Sequence, residues 1–140
     1  MRVLAALLLL LPFSCYSHTT NDHPRTSEEH CMAIAVHKEA SKTIYKDQVA
    51  VYQVIKNRAQ KFSISVCEVL KQPRQFSFVK AGMSWIANKK QLALLDKIKK
   101  ERIMFSSDVM YFHSKSKDPA WARKMMHVLT VGKHKYFKEK

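Results

Sequence analysis

Glu39 stands in the segment Cys31-Met-Ala-Ile-Ala-Val-His-Lys-Glu-Ala40, where the spacing is helical and the neighbours on one face are small and apolar. A carboxyl group so placed is partly desolvated, and desolvation favours its protonated form. An acid that keeps its proton near neutral pH can give it to a leaving oxygen, the step that breaks a glycosidic bond. The same residue has a plainer reading as a solvent-facing helix glutamate paired with Lys42, three positions on. Spacing alone leaves both open.

Other residues offer what such an acid would need around it. Gln75, Phe76 and Ser77 supply an amide, an aromatic face and a hydroxyl in succession, which suits an N-acetyl sugar. They can equally be a core phenylalanine beside a loop-stapling glutamine. In the β-prone run Val109-Met-Tyr-Phe-His113, Tyr111 and His113 point to one strand face and Phe112 to the other, so Tyr111 is a candidate for the same cleft. Trp121 reads as core rather than as a sugar platform. His113 with His127 or His134 shows neither an HExxH pattern nor close ligand spacing, so no metal or other cofactor is expected.

These residues must be held by a fold that begins after a leader. Arg2, the unbroken apolar run Val3 to Leu11 and the bounding Pro12 have the form of a signal peptide, too short to cross a bilayer as a helix. Cys15 and Ser17 stand at −3 and −1 of a cut before His18. Residues 1–17 are therefore read as a signal peptide, 18–27 as a flexible lead-in and 28–140 as one domain, exported to the periplasm or beyond. Leu-Pro-Phe-Ser-Cys15 also hints at a lipoprotein site, a pattern that Pro12 and Phe13 fit poorly. Cys31 and Cys67 remain after cleavage, and in an oxidising compartment an even pair reads first as a disulfide. Closing that loop would stabilise the fold by roughly 4 kcal/mol in the chain-entropy model. Two buried thiols are the alternative; a nucleophilic cysteine is disfavoured, since neither setting lowers a thiol pKa.

Thr26-Ser-Glu-Glu29 has the form of a capping box opening a helix from about Ser27 to Ser41. A second helix is expected over about Lys46–Lys61, with Val51, Val54, Ile55 and Arg58 along its inner stripe. Asn57 and Arg58 at its end are placed to brace the loop after Glu39, and Arg58 is as readily structural as substrate-binding. Ser65 can cap a short helix to Leu70, with a loop through Gln75–Phe78 beyond Pro73. A further helix is predicted over about Asn88–Met104. Asp118-Pro119 reads as an N-cap and first helical position, and Val128 to Phe137 as two strands about a turn at Gly132 and Lys133. The fold class is α+β, mostly helical with a small antiparallel sheet.

Taken in order, Glu39-Ala40, Gln48-Val-Ala-Val51, Val54-Ile-Lys-Asn-Arg58, Ser65-Val-Cys-Glu-Val69 and Gln75-Phe-Ser77 resemble the SleB/CwlJ group of cell-wall hydrolases. Tyr111-Phe-His113, Pro119-Ala-Trp121, Val131-Gly-Lys-His134 and Tyr136-Phe137 continue the resemblance, which covers roughly residues 31 to 137. It implies peptidoglycan as substrate, a lysozyme-like catalytic core, and Glu39 as the single acid. His37, where a tyrosine is common, and Ala40-Ser-Lys-Thr43, which lacks an expected glycine, depart from the family pattern.

A standard glycosidase needs two carboxyl groups across the scissile bond. The nearest acidic residue to Glu39 is Asp47, eight positions on. A lytic transglycosylase needs only one carboxyl, which gives a proton and then takes one from a sugar hydroxyl, and this is the reading favoured. Asp47, Asp108 or Asp118 could still approach in space and allow hydrolysis. The net charge of +14 favours polyanionic partners, here an anionic wall or membrane surface. It also permits a cationic wall-binding protein without turnover. Nucleic-acid binding is not expected, because no zinc motif or RNP-type aromatic string accompanies the charge. A monomer is expected.

Overall fold

The computed structural model describes residues 24–140. The expected leader and most of the lead-in lie outside the described residues. Four helices and a three-stranded sheet follow: α1 (Ser27–Ala40), α2 (Tyr45–Phe62), α3 (Val66–Lys71), α4 (Lys89–Ile98), β1 (Val109–Ser114), β2 (Met126–Val131) and β3 (His134–Lys138). A 3-10 turn over Ala120–Lys124 lies between β1 and β2.

The capping box at Thr26 forms as expected, with the Thr26 side chain accepting from the Glu29 N–H and the Glu29 carboxylate accepting from the Thr26 N–H. Ser65 and Glu68 build the same device on α3. Every residue from Cys31 to Val36 is buried, so α1 is the central helix, packed by α2, α3 and α4. Helices hydrophobic all round belong in an interior. A disulfide joins Cys31 in α1 to Cys67 in α3, with 5.4 Å between the Cα atoms. The Glu28 carboxylate accepts from the Val66 N–H at 3.1 Å and ties the same two helices.

The helix expected to reach Met104 stops at Ile98. The reason lies in α2. The Gln53 amide is buried, donates to the Arg102 carbonyl at 3.0 Å and accepts from the Met104 and Phe105 N–H groups at 2.7 and 3.2 Å. Those bonds hold an extended chain, and they let Phe105 pack on Tyr136, centroids 5.1 Å apart.

β3 is the central strand, antiparallel to β1 on one side and to β2 on the other. The turn between β2 and β3 falls at Gly132 and Lys133, as the sequence leads one to expect. Along β1 the side chains alternate. Phe112 packs toward Phe76 and Tyr136 in the core, while Tyr111 and His113 face Trp121 on the other side. The 3-10 turn starts after Pro119 rather than at an Asp118 cap.

Candidate active site

A cleft of about 970 Å³ lies between the end of α1, the Arg74–Ser77 loop, β1 and the 3-10 turn. Glu39, Gln75, Phe76, Ser77 and Tyr111 all line it, so five candidates scattered over the sequence meet in one groove.

Glu39 sits in the last turn of α1, half-buried. Its carboxyl group makes no ion pair with Lys42 or any other residue among the described residues, and no side-chain hydrogen bond there. Burial pushes its pKa above the ordinary glutamate value, and the nearby His134 ring opposes the rise only in part. The carbonyl end of α1 acts in the same sense as burial, since the partial negative charge of a helix C-terminus disfavours a second one. The loop that follows is fixed by Gln48, whose amide donates to the Ala40 carbonyl at 3.1 Å. Asn57 and Arg58, expected to do that work, are turned elsewhere. Asn57 donates to the carbonyls of Ser106 and Val109, and Arg58 to those of Met110 and the Gln72 side chain. They anchor the start of β1, while the Arg58 guanidinium stacks between the rings of Phe62 and Tyr111.

The supposed sugar contacts differ in what they offer. Gln75 and Ser77 are exposed on the rim, and the Gln75 amide staples nothing among the described residues. Phe76 is 7% exposed, its ring held by Phe78 and Phe112, so it forms cleft floor more than free platform. Tyr111 is half-buried and its hydroxyl donates to Glu139 at 3.0 Å. The expectation that Trp121 is core is corrected. The indole is 38% exposed at the cleft wall, leaning on Tyr111, His113 and Phe137. The core beneath it is already filled by Tyr136 and Phe112, which leaves the indole on the outer sheet face.

Three acidic residues were possible partners for Glu39. Asp47 is wholly buried and accepts from Thr43 Oγ1 at 2.7 Å, the Lys133 N–H at 2.9 Å, His134 Nδ1 at 3.0 Å and the Tyr136 hydroxyl at 2.5 Å. Burial acts to raise its pKa, but those four donors outweigh it and hold the carboxyl below the usual range. Asp47 is thus a fixed anion of the scaffold. Asp108 bonds Ser106 and Lys138, away from the cleft. Asp118 does line the cleft, on an exposed lip where Arg123 pairs with it at 2.8 Å. His134, which the sequence offered only in a family motif and as a metal ligand set aside, is buried at the cleft beside Glu39. The signal was Val131-Gly-Lys-His134, whose role could not be read without Asp47 opposite it.

The family described as Cell Wall Hydrolase matches residues 42–137. Among solved structures, the catalytic domain of the germination-specific lytic transglycosylase SleB from Bacillus anthracis is similar in fold, with a TM-score of 0.68 and 24% identity, over 84% of this chain and 98% of that one. The catalytic domain of the Bacillus cereus SleB protein gives a TM-score of 0.62 and 23% identity, over 84% and 94% of the two chains. No curated protein matches this chain.

Proposed function

The chain belongs to the cell-wall hydrolase family, and from that membership and the cleft we infer that it cuts peptidoglycan glycan strands at a glycosidic bond, with Glu39 as the acid. The observation that carries this reading is a half-buried carboxyl group, without donors or counter-ion among the described residues, lining a groove of sugar-strand size. Its raised pKa keeps it protonated further into the pH range where an acid is useful. Glu39 gives its proton to the bridging oxygen as the bond to the sugar breaks. The carboxylate left behind then takes a proton from a hydroxyl of the same sugar, whose oxygen closes on the anomeric carbon. One carboxyl suffices for this lytic transglycosylase route, and the reaction named for the Bacillus anthracis neighbour is of that type. Gln75, Ser77, Tyr111 and the floor at Phe76 are the sugar contacts in this reading. Export to the wall agrees with the Cys31–Cys67 disulfide, which suits an oxidising compartment, and the basic surface suits contact with an anionic wall.

Asp118 on the cleft lip supports a second reading, hydrolysis across two carboxyl groups. Mass spectrometry of fragments released from purified sacculi separates the two. Anhydro sugar ends are expected. Reducing ends alone would replace the transglycosylase by a hydrolase, and no fragments at all would leave a binding protein without turnover.

A further inference from the structure

The imidazole of His134 is 6% exposed and held from several sides. Its Nδ1 faces Asp47 Oδ2 at 3.0 Å, and the edge of Phe112 packs against it, centroids 5.2 Å apart. The approach of the strand turn to Asp47 is close enough that a Cβ on Gly132 would lie 2.3 Å from Thr43 Oγ1 and 2.6 Å from Asp47 Oδ2. Gly132 also has φ +53°, a backbone setting that suits glycine. This corner of the fold is therefore built around the Asp47–His134 contact.

An ionised carboxylate cannot donate, so the nitrogen facing Asp47 carries a hydrogen. In the neutral ring the other nitrogen, Nε2, is then an acceptor. It has no protein partner among the described residues, yet the one wholly buried side-chain polar atom lacking a partner there is Nε of Arg58. Nε2 therefore reaches solvent, and His134 lines the cleft that Glu39 lines. The titratable groups that meet the ring are Glu39 from α1, Asp47 from α2 and Tyr136 from β3, while β1 presents only Phe112.

We propose that His134 is a substrate-binding residue, locked by Asp47 in the tautomer whose Nε2 accepts a hydrogen bond from a sugar hydroxyl or amide N–H beside Glu39. This rests on the glycan-cleaving reading above and adds to it an acceptor that does not compete for the proton of Glu39. A carboxylate in that place would pair with the acid or share its proton. A neutral imidazole orients the donor group of the sugar and leaves the acid charged with hydrogen.

Nitrogen NMR of the Glu39→Gln chain, which binds glycan without consuming it, reads this directly. The free protein should show the Nδ1–H tautomer, and a saturating peptidoglycan glycan fragment should shift Nε2. An Nε2–H tautomer, or an Nε2 signal indifferent to saturating glycan, overturns the proposal. In the otherwise native chain, His134→Ala should lower kcat/KM about tenfold or more, the worth of one hydrogen bond to a neutral acceptor. His134→Gln restores an acceptor oxygen and should recover part of the loss. Variants that melt and cleave like the parent also overturn it; if His134→Ala fails to fold, the NMR result decides alone. A native chain that cuts glycan while the ring ignores it defeats this inference only, and one that cuts no glycan defeats the functional reading as well.

Discussion

Two carboxyl groups eight residues apart, Glu39 at the end of α1 and Asp47 at the start of α2, have opposite surroundings. Glu39 is half-buried with no donor, and its proton is held more tightly than usual. Asp47 is more deeply buried and receives four hydrogen bonds, and its proton is held more loosely. Donors decide, because each N–H or O–H aimed at a carboxylate stabilises the anion that burial penalises. The fold thus keeps one acid ready to give a proton and one anion permanently in place to orient His134.

The contrast is broken most severely at Glu39. Glu39→Gln keeps size and polarity but removes the transferable proton, and wall-clearing activity should fall about a thousandfold, the scale of lost general acid catalysis. Turbidity of sacculi with purified variant and parent measures it; a variant as active as the parent removes Glu39 from the reaction. The sign of the pH effect is fixed by the raised pKa. Activity that needs protonated Glu39 declines as pH rises through its elevated native value. The same shift costs the parent stability above the unfolded glutamate value of about 4.3. Glu39→Gln should therefore melt higher than the parent near neutral pH, with the advantage vanishing below pH of about 4.

At Asp47 the stability effect is larger and of opposite sign. Asp47→Asn keeps the shape but leaves buried donors facing an amide, and should destabilise the fold by about 3 kcal/mol. Denaturant melts measure it. The stabilisation from Asp47 is present above the unfolded aspartate value of about 3.9 and is lost as pH falls toward its depressed native value. The parent should lose stability in that acid window and the asparagine variant should not. Equal acid sensitivity would mean that the four donors do not hold an anion there.

What the sequence disclosed about these two residues differs for a physical reason. Glu39 was legible because its environment is local. Helical periodicity from Cys31 to Ala40 already specifies an apolar flank. The helix starts at Thr26 and Ser65 were legible likewise, since a capping box is written within four residues. Asp47 was seen only as a spare acid, because its partners Lys133, His134 and Tyr136 lie more than eighty positions away. The overlong helix through Met104 has the same origin. Nothing in residues 99–104 announces that Gln53, about fifty positions earlier, takes up their backbone groups. Trp121 was misread since an aromatic residue carries no mark of which sheet face it covers.

A smaller break is made through the turn. Gly132→Ala puts a methyl group against Thr43 and Asp47 and demands a left-handed backbone of a residue with a Cβ. The cost should be about 2 kcal/mol, measured by thermal melting, and it should be much reduced in the Asp47→Asn background, where the contact is already loosened. Additive losses would mean that the turn and Asp47 are independent.

The smallest effect is expected at Asp118, the other carboxylate on the cleft. It is exposed, and Arg123 beside it lowers its pKa, which favours the anion. Such a group is poorly suited to activate water, since it gains little by taking a proton. Asp118→Asn should leave melting unchanged and the wall-clearing rate within about twofold of the parent, as screened surface pairs contribute little. Fragment ends should remain anhydro. A large loss of rate, with reducing ends in the parent, would replace the contrast of Glu39 and Asp47 by a working pair across the groove, because two carboxyl groups would then share the reaction.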